Sequence, residues 1–261
     1  RGPTSSRAAF HRLMIAQLRF LSPLLRQNTL HDTTRLLYSS TLRLVLVLLH
    51  DFPEYLAEYH QSLCDVIPSI CIQLRNLVLC AYPRPLRMPD PFGAGLRLVT
   101  WPDPKFMPTM HYDAQAIVRA LSPTPDDVLE RLDELVHTGQ APTGTGRMLA
   151  DAFASPNAPD TGRYNEILIN AAVLYVAHTT LQSTKNHLLA NRSVHDPLVE
   201  LYHAVLPEIE PEGRYLMLSA AASQLRYPSH HTAYFHALFV VLYTREEAFV
   251  REQILRVLLE R

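Results

Sequence analysis

Between Gly2 and Gly93 this chain carries no glycine, and most of its 8 glycines gather in two stretches. Gly93 and Gly95 share one; Gly139, Gly144, Gly146 and Gly162 lie in or around the other. A glycine in a helix interior costs about 1 kcal/mol relative to alanine, so long glycine-free runs favour helices. The 20 prolines complete the pattern. They cluster at the starts of apolar-periodic segments and in the same two stretches, where a missing N–H is tolerated or stops a helix. Strand-type alternation does not persist anywhere. The chain therefore reads as many helices with sharp ends.

Hydrophobic spacing predicts a first helix from about Ser6 to Phe20 and a second from Thr33 to His50. The second is apolar almost all round through Leu44–Leu49, the mark of a central, buried helix. Pro53 and Glu54 open a third, with Phe52, Leu56, Tyr59 and Leu63 as its stripe. Ser69, after Pro68, opens a fourth, with Ile70, Leu74, Leu77 and Ala81 on one face. Pro83, Pro85, Pro89 and Pro91 forbid its continuation, so 82–111 is expected as an extended arm. Thr124-Pro125-Asp126-Asp127 caps another helix, whose core stripe is Val128, Leu132, Leu135 and Val136. A flexible loop is expected over 138–162. Further helices follow at about 163–183, 194–206, 212–226, 231–243 and 245–260. The last opens on a capping box, Thr244-x-x-Glu247, and buries Val250, Ile254, Val257 and Leu258. The expected architecture is all-α: a single domain over 1–261, an α-solenoid of antiparallel helix pairs with extended proline-rich segments.

Composition excludes several function classes. The formal net charge is -1, which argues against bulk electrostatic binding to nucleic acid or anionic membrane. Lysine occurs only at Lys105 and Lys185; arginine supplies the remaining positive charge. Three cysteines (Cys64, Cys71, Cys80) make no disulfide framework and favour a reducing compartment. The longest apolar runs, Leu44–Leu49 and Ala171–Ala177, fall far short of the roughly 20 residues that span a bilayer. No signal peptide opens the chain, and its start at Arg1 rather than Met reads as an excised fragment.

Candidate chemistry mostly fails on spacing. His60 and Cys64, four apart with Cys71 nearby, lack the paired spacing of a zinc site and read as packing residues. His230, His231 and His236, with Tyr234, read as a helix start and its following turns. Asp126, Asp127, Glu130, Asp133 and Glu134 complement a helix dipole and form a solvated face. Pro142-Thr143-Gly144-Thr145-Gly146-Arg147 lacks the lysine ending of a phosphate loop. No catalytic, cofactor-binding or metal-binding residue is expected. The arm at 82–111 is the functional candidate. Its arginines and aromatics suit a protein interface, and Arg84, Arg87, Pro89, Phe92, Trp101 and Phe106 are the residues expected to bind a partner. Two other readings stand beside it: the arm lies across the helices with its aromatics as anchors, or it binds single-stranded RNA, with bases stacked on the aromatics and phosphates paired with Arg84, Arg87, Arg97 and Lys105.

One segment carries more than composition. HDFPEYLAEYHQSLCDVIPSICIQLRNLVLCAYPRPLRMPDPF, at His50–Phe92, resembles the C-terminal homology domain of Not-one-type scaffold subunits of the Ccr–Not mRNA deadenylase complex. GRYNEILINAAVLYV (Gly162–Val176), EGRYLMLSAAASQLRYPSHHTAYF (Glu212–Phe235) and EQILRVLLER (Glu252–Arg261) agree, as does the helix at Leu36–His50. The resemblance implies a HEAT-like, non-catalytic scaffold without cofactors. It would dock the heterodimer of the Not-box subunits, and it implies the ubiquitin-ligase subunit and peptide motifs of RNA-binding repressors as further partners. It would support mRNA deadenylation, decay and translational repression in cytoplasm and nucleus. Residues 96–161 and 184–205 match the family poorly. The family usually continues past RVLLER, so Leu255, Leu258 and Leu259 are expected beside a bare apolar surface.

Overall fold

The computed structural model describes residues 3–27, 30–84, 114–122, 126–154, 163–183, 196–227 and 229–260. Among them every regular element is a helix, and the chain divides into two compact units, Arg1–Tyr112 and Asp113–Arg261. The first unit holds α1 (Pro3–Leu25), α2 (Asp32–Asp51), α3 (Pro53–Val66) and α4 (Ile72–Leu79). The second holds α5 (Ala114–Leu121), α6 (Asp126–Thr138), α7 (Thr145–Phe153), α8 (Glu166–Ser183), α9 (Pro197–Val205), α10 (Pro211–Ala222), α11 (His230–Arg245) and α12 (Ala248–Leu259).

In the first unit, α3 packs on α1, α2 and α4, and α2 also touches α1 and α4. Met14, Leu18, Val45, Leu48, Leu56, Leu63, Leu74 and Val78 meet in its core. Each such aliphatic side chain contributes about 1.5–3 kcal/mol on full burial. The expectation of an all-round buried α2 fails. Thr34, Thr41, Val45 and Leu48 are buried, but Leu46 and Val47 are 48% and 51% exposed. Its neighbours lie against the Thr41–Val45–Leu48 side alone, so the opposite apolar residues meet solvent. Helix α4 starts at Ile72 rather than Ser69, because a turn follows Pro68, whose carbonyl accepts from the Cys71 N–H at 2.9 Å. That turn takes Ile70 out of the predicted stripe and leaves it exposed, while Leu74 and Ala81 stay buried. Phe52 is likewise exposed, at the α2–α3 corner.

The second unit is built around α8, which packs on α5, α6, α7, α9 and α10. Leu168, Ile169, Ala171, Ala172, Val173, Leu174, Val176 and Ala177 are all buried. The alanines on α8 let neighbouring backbones come close on several sides, which an all-leucine helix would not. Val128, Leu132 and Leu135 are buried on α6 as predicted, with Val136 half-buried. The cap residues Thr124 and Pro125 lie outside the described residues.

Two helices are absent from the sequence-based expectation. Helix α5 presents Ile117 and Leu121 to the core and packs on α8. Helix α7 forms inside the predicted loop at 138–162 and buries Leu149, Ala150 and Phe153. Its glycines mislead because they serve tertiary geometry. Gly144 precedes the helix at φ +85°, the left-handed region that glycine reaches without strain. Gly146 lies inside it, where an added Cβ would stand 1.9 Å from the Ala204 carbonyl oxygen of α9.

The remaining joints are polar. Asp196 caps α9 by accepting from the Leu198 N–H at 3.0 Å, and it also accepts from the Tyr234 hydroxyl of α11 at 2.5 Å. At the α10–α11 turn, Ser229 accepts from the Thr232 N–H, and the Thr232 hydroxyl reaches the carbonyls of Tyr227 and Gln224. The adjacent histidines are thus a helix start, as their spacing indicates. The capping box at Thr244 does not form. Thr244 still belongs to α11 and donates back to Val240 and Val241, and Glu247 caps α12 without a side-chain hydrogen bond. Val250, Ile254 and Val257 are buried as predicted, whereas Leu258 is on the surface.

Candidate protein-docking surface

Of the residues expected to bind a partner, Arg84 alone lies within the described residues; Arg87, Pro89, Phe92, Trp101 and Phe106 lie outside them. Arg84 is exposed and folds back over the end of α2. Its guanidinium donates to the His50 carbonyl at 3.0 Å and to the Asp51 carbonyl, and its own N–H donates to Glu54 Oε1 at 3.2 Å. The cause is local. Helix α2 ends in carbonyls without helical partners, and Pro53 brings no N–H to meet them. A cation at the negative end of the helix meets that need.

Two further arginines do the same elsewhere. Buried Arg75 of α4 donates to the Cys64 and Ile67 carbonyls at the end of α3, both at 3.2 Å. Arg214 of α10 donates to the Leu206 carbonyl at the end of α9 at 3.5 Å and stacks over the Phe249 ring at 4.5 Å. Arginine here closes helix ends, a use its planar, multi-donor fork suits better than lysine's point charge.

The titratable groups singled out from the sequence are packing groups. His60 is buried with Nδ1 3.0 Å from the Ala57 carbonyl, to which it donates. Burial pushes the half-buried Cys71 thiol above its usual range, against Arg26 and Arg75, so it is a poor nucleophile. Tyr175 of α8 donates to Asp133 of α6, which gives one carboxylate of the acidic cluster a structural task. Among the described residues no group of three or more His, Cys, Asp or Glu stands where it could hold a metal ion. Among the same residues no helix is long and apolar enough to cross a membrane.

A second polar knot joins α1 to α3. The Tyr55 hydroxyl donates to His11 Nδ1 at 3.1 Å, His11 Nε2 donates to Ser62 Oγ at 3.0 Å, and Ser62 donates to the Tyr59 carbonyl at 3.1 Å. The ring stacks on Tyr59, with centroids 4.1 Å apart. Every group in the chain is satisfied when His11 is neutral and carries its proton on Nε2. It resembles a catalytic relay in connectivity, but Ser62 spends its proton on a backbone carbonyl.

What the structure exposes is apolar surface. In the first unit, Leu13 and Phe20 of α1 are 66% and 64% exposed, Leu36 near the start of α2 is 70% exposed, and Leu46 and Val47 are exposed further along the same helix. In the second unit, Val240 and Tyr243 of α11 and Leu255, Leu258 and Leu259 of α12 are exposed, Leu258 against its expected place in the buried stripe. Exposed apolar patches of this kind mark interaction sites. The sequence reading missed the exposed face of α2 because it placed that helix in the middle of the fold.

Comparison with known proteins gives a consistent answer. Residues 3–261 match the family described as "CCR4-Not complex component, Not1". The chain is 36% identical over 267 residues to the "CCR4-NOT transcription complex subunit let-711" of Caenorhabditis elegans, covering 97% of this chain and 10% of that protein. It is 31% identical over 258 residues to the "General negative regulator of transcription subunit 1" of Schizosaccharomyces pombe, covering 97% of this chain and 12% of that protein. The chain thus spans about a tenth of the length of the curated relatives it matches. Among solved structures it superposes on the NOT1 superfamily homology domain from Chaetomium thermophilum with a TM-score of 0.81 at 28% identity, covering 98% of this chain and 50% of that one. A Not1 C-terminal domain in complex with Not4 shares the fold, with a TM-score of 0.79 at 22% identity.

Proposed function

The chain belongs to the Not1 family of CCR4-Not complex components, and we propose that it is a non-catalytic scaffold module that docks other subunits of that complex. The observation that carries this reading is the family match over residues 3–261, joined to helical units whose apolar side chains are exposed on outer helices. The polar clusters support it, since each closes a helix end or joins two helices. The partners proposed are the heterodimer of the Not-box subunits and the Not4-type ubiquitin-ligase subunit, the latter by likeness to the structure solved with Not4. Peptide motifs of RNA-bound repressors are further candidates. Through these partners the module would serve mRNA deadenylation, decay and translational repression, in cytoplasm and nucleus.

Size-exclusion chromatography of the chain mixed with the Not-box heterodimer, and separately with a Not4-type subunit, tests the proposal. Co-elution with either is the expected result. A folded sample that elutes apart from both rejects it.

A further inference from the structure

Helix α1 carries two apolar strips at coiled-coil spacing. Met14, Leu18, Leu21 and Leu25, spaced four, three and four apart, are buried where α1 packs on α2 and α3. On the other side Ala9, Leu13, Ala16, Phe20 and Pro23 repeat that spacing, and all of them are exposed. Residues three and four apart line up along a helix, so this outer strip is one continuous seam about two heptads long. It alternates in size, with Ala9 and Ala16 set between the larger Leu13 and Phe20.

The seam is narrow. Arg12 and Arg19, seven apart and exposed, border it on one side. Gln17 borders it on the other and donates to Thr41 Oγ1 of α2 at 2.9 Å. Arg12 and Arg19 form no ion pair or hydrogen bond among the described residues, whereas Arg7 of the same helix pairs with Glu58 at 3.0 Å. Helix α1 itself holds no acidic residue.

We propose that the outer seam of α1 docks one helix of a partner protein, whose large apolar side chains seat over Ala9 and Ala16, whose small ones face Leu13 and Phe20, and whose carboxylates pair with Arg12 and Arg19. The inference deepens the docking reading above and rests on it. Width and charge choose the occupant. A strip confined to alternate spacings of three and four is the seam of a helix pair crossing at about 20°, whereas a helix that lies on a membrane needs a broader apolar face. A second copy of α1 would bring no carboxylate to the seam and would add its own arginines. An acidic flank answers them, because a carboxylate accepts two parallel hydrogen bonds from one guanidinium. Phe20 is the strip's only aromatic side chain, so it offers no stacking row for single-stranded nucleic acid.

The test measures fluorescence anisotropy on the full 261-residue chain with a labelled synthetic peptide of about three heptads. Leu and Ala alternate along its apolar seam, and Glu flanks them; a counterpart carries Lys for Glu. The Glu peptide is expected to bind at least about tenfold more tightly than the Lys peptide. Leu13→Ser with Phe20→Ser, and separately Ala16→Leu, are each expected to weaken it by about tenfold or more. Arg12→Glu with Arg19→Glu should reverse the preference between the two peptides, a swap that loss of fold does not produce. Leu46→Ser with Val47→Ser on α2 should leave binding unchanged. Circular dichroism and retained co-elution with the Not-box heterodimer show that the variants are folded. Leu13→Gln alone replaces the double variant where that one fails the check.

A wild-type chain that co-elutes with the heterodimer but ignores the Glu peptide overturns the seam and leaves the docking reading standing. One that ignores the peptide and both subunits overturns both. Binding untouched by Leu13→Ser with Phe20→Ser or by Ala16→Leu overturns the seam, as does equal affinity for the Glu and Lys peptides. So does self-association in sedimentation velocity that Leu13→Ser with Phe20→Ser abolishes, which makes a second copy the occupant.

Discussion

At the residue scale, arginine placed over helix C-termini is the recurrent device, and burial decides how much it matters. Arg75 is buried and satisfies two carbonyls at the end of α3. Arg75→Met should destabilise the protein by roughly 2–4 kcal/mol, because each orphaned buried carbonyl keeps its desolvation cost. Arg84→Ala removes a similar contact in solvent, where water replaces the lost donors, and should cost clearly less. Urea midpoints of the two variants check the ranking; equal losses would contradict it. Histidine supplies a second residue-level prediction. Burial holds His11 below its usual pKa, opposed by the Glu58 carboxylate, and burial lowers His178 in the same direction. The unfolded chain, with histidine near 6.5, therefore takes up protons before the folded chain does. Stability from these groups is complete above about pH 6.5 and declines as pH falls from there towards the lowered folded values. Denaturation at about pH 7.5 and 5.5 should show a lower midpoint at the acid end, with a smaller difference in His11→Gln. A midpoint that stays put contradicts this.

At the scale of elements, helices with a strong local signal were legible and those made by tertiary contact were not. Helix α6 announces itself by its acidic first turn and its Val128–Leu132–Leu135 stripe, and α3 by Pro53. Helix α5 is eight residues long, too short to be stable alone, and exists because Ile117 and Leu121 pack towards α8. Helix α7 follows one glycine, Gly144, and carries another, Gly146, and the pair reads as loop until α9 is placed against Gly146. Gly146→Ala would drive a methyl group into the Ala204 carbonyl and should cost about 1–3 kcal/mol or more, through overpacking against backbone that cannot move aside. Phe153→Ala at the other end of α7 should cost about 3–5 kcal/mol, since the side chain is fully buried. Wild-type stability in either variant would mean that α7 is not anchored as the structure has it. The mistaken capping box at Thr244 has the same origin. Helix α11 continues far enough to take the threonine hydroxyl for its own carbonyls.

At the scale of the whole molecule, the reading as one domain over 1–261 remains a proposal beside the two compact units. One domain should unfold in a single calorimetric transition whose enthalpy agrees with the van't Hoff value. Two resolved transitions would divide it between Tyr112 and Asp113. The resemblance read from His50–Phe92 and its companion blocks agrees with the family match over 3–261. That much the sequence determined alone, together with the all-α class, because proline, glycine and helical periodicity act over a few residues and need no tertiary context. The candidate site was only half legible. The apolar residues of α2 are present in the sequence, yet which of them reach solvent depends on which side of α2 is covered. Leu44–Leu49 and Ala171–Ala177 look alike as apolar runs, but α8 is enclosed by five helices and α2 is packed on one side alone. Tertiary structure decided between them. Alanines on α8 admit close neighbours on several sides, whereas Arg35 and Arg43 hold one face of α2 in water. A buried helix and a half-exposed one can thus share one local pattern, and only the arrangement of neighbours tells them apart.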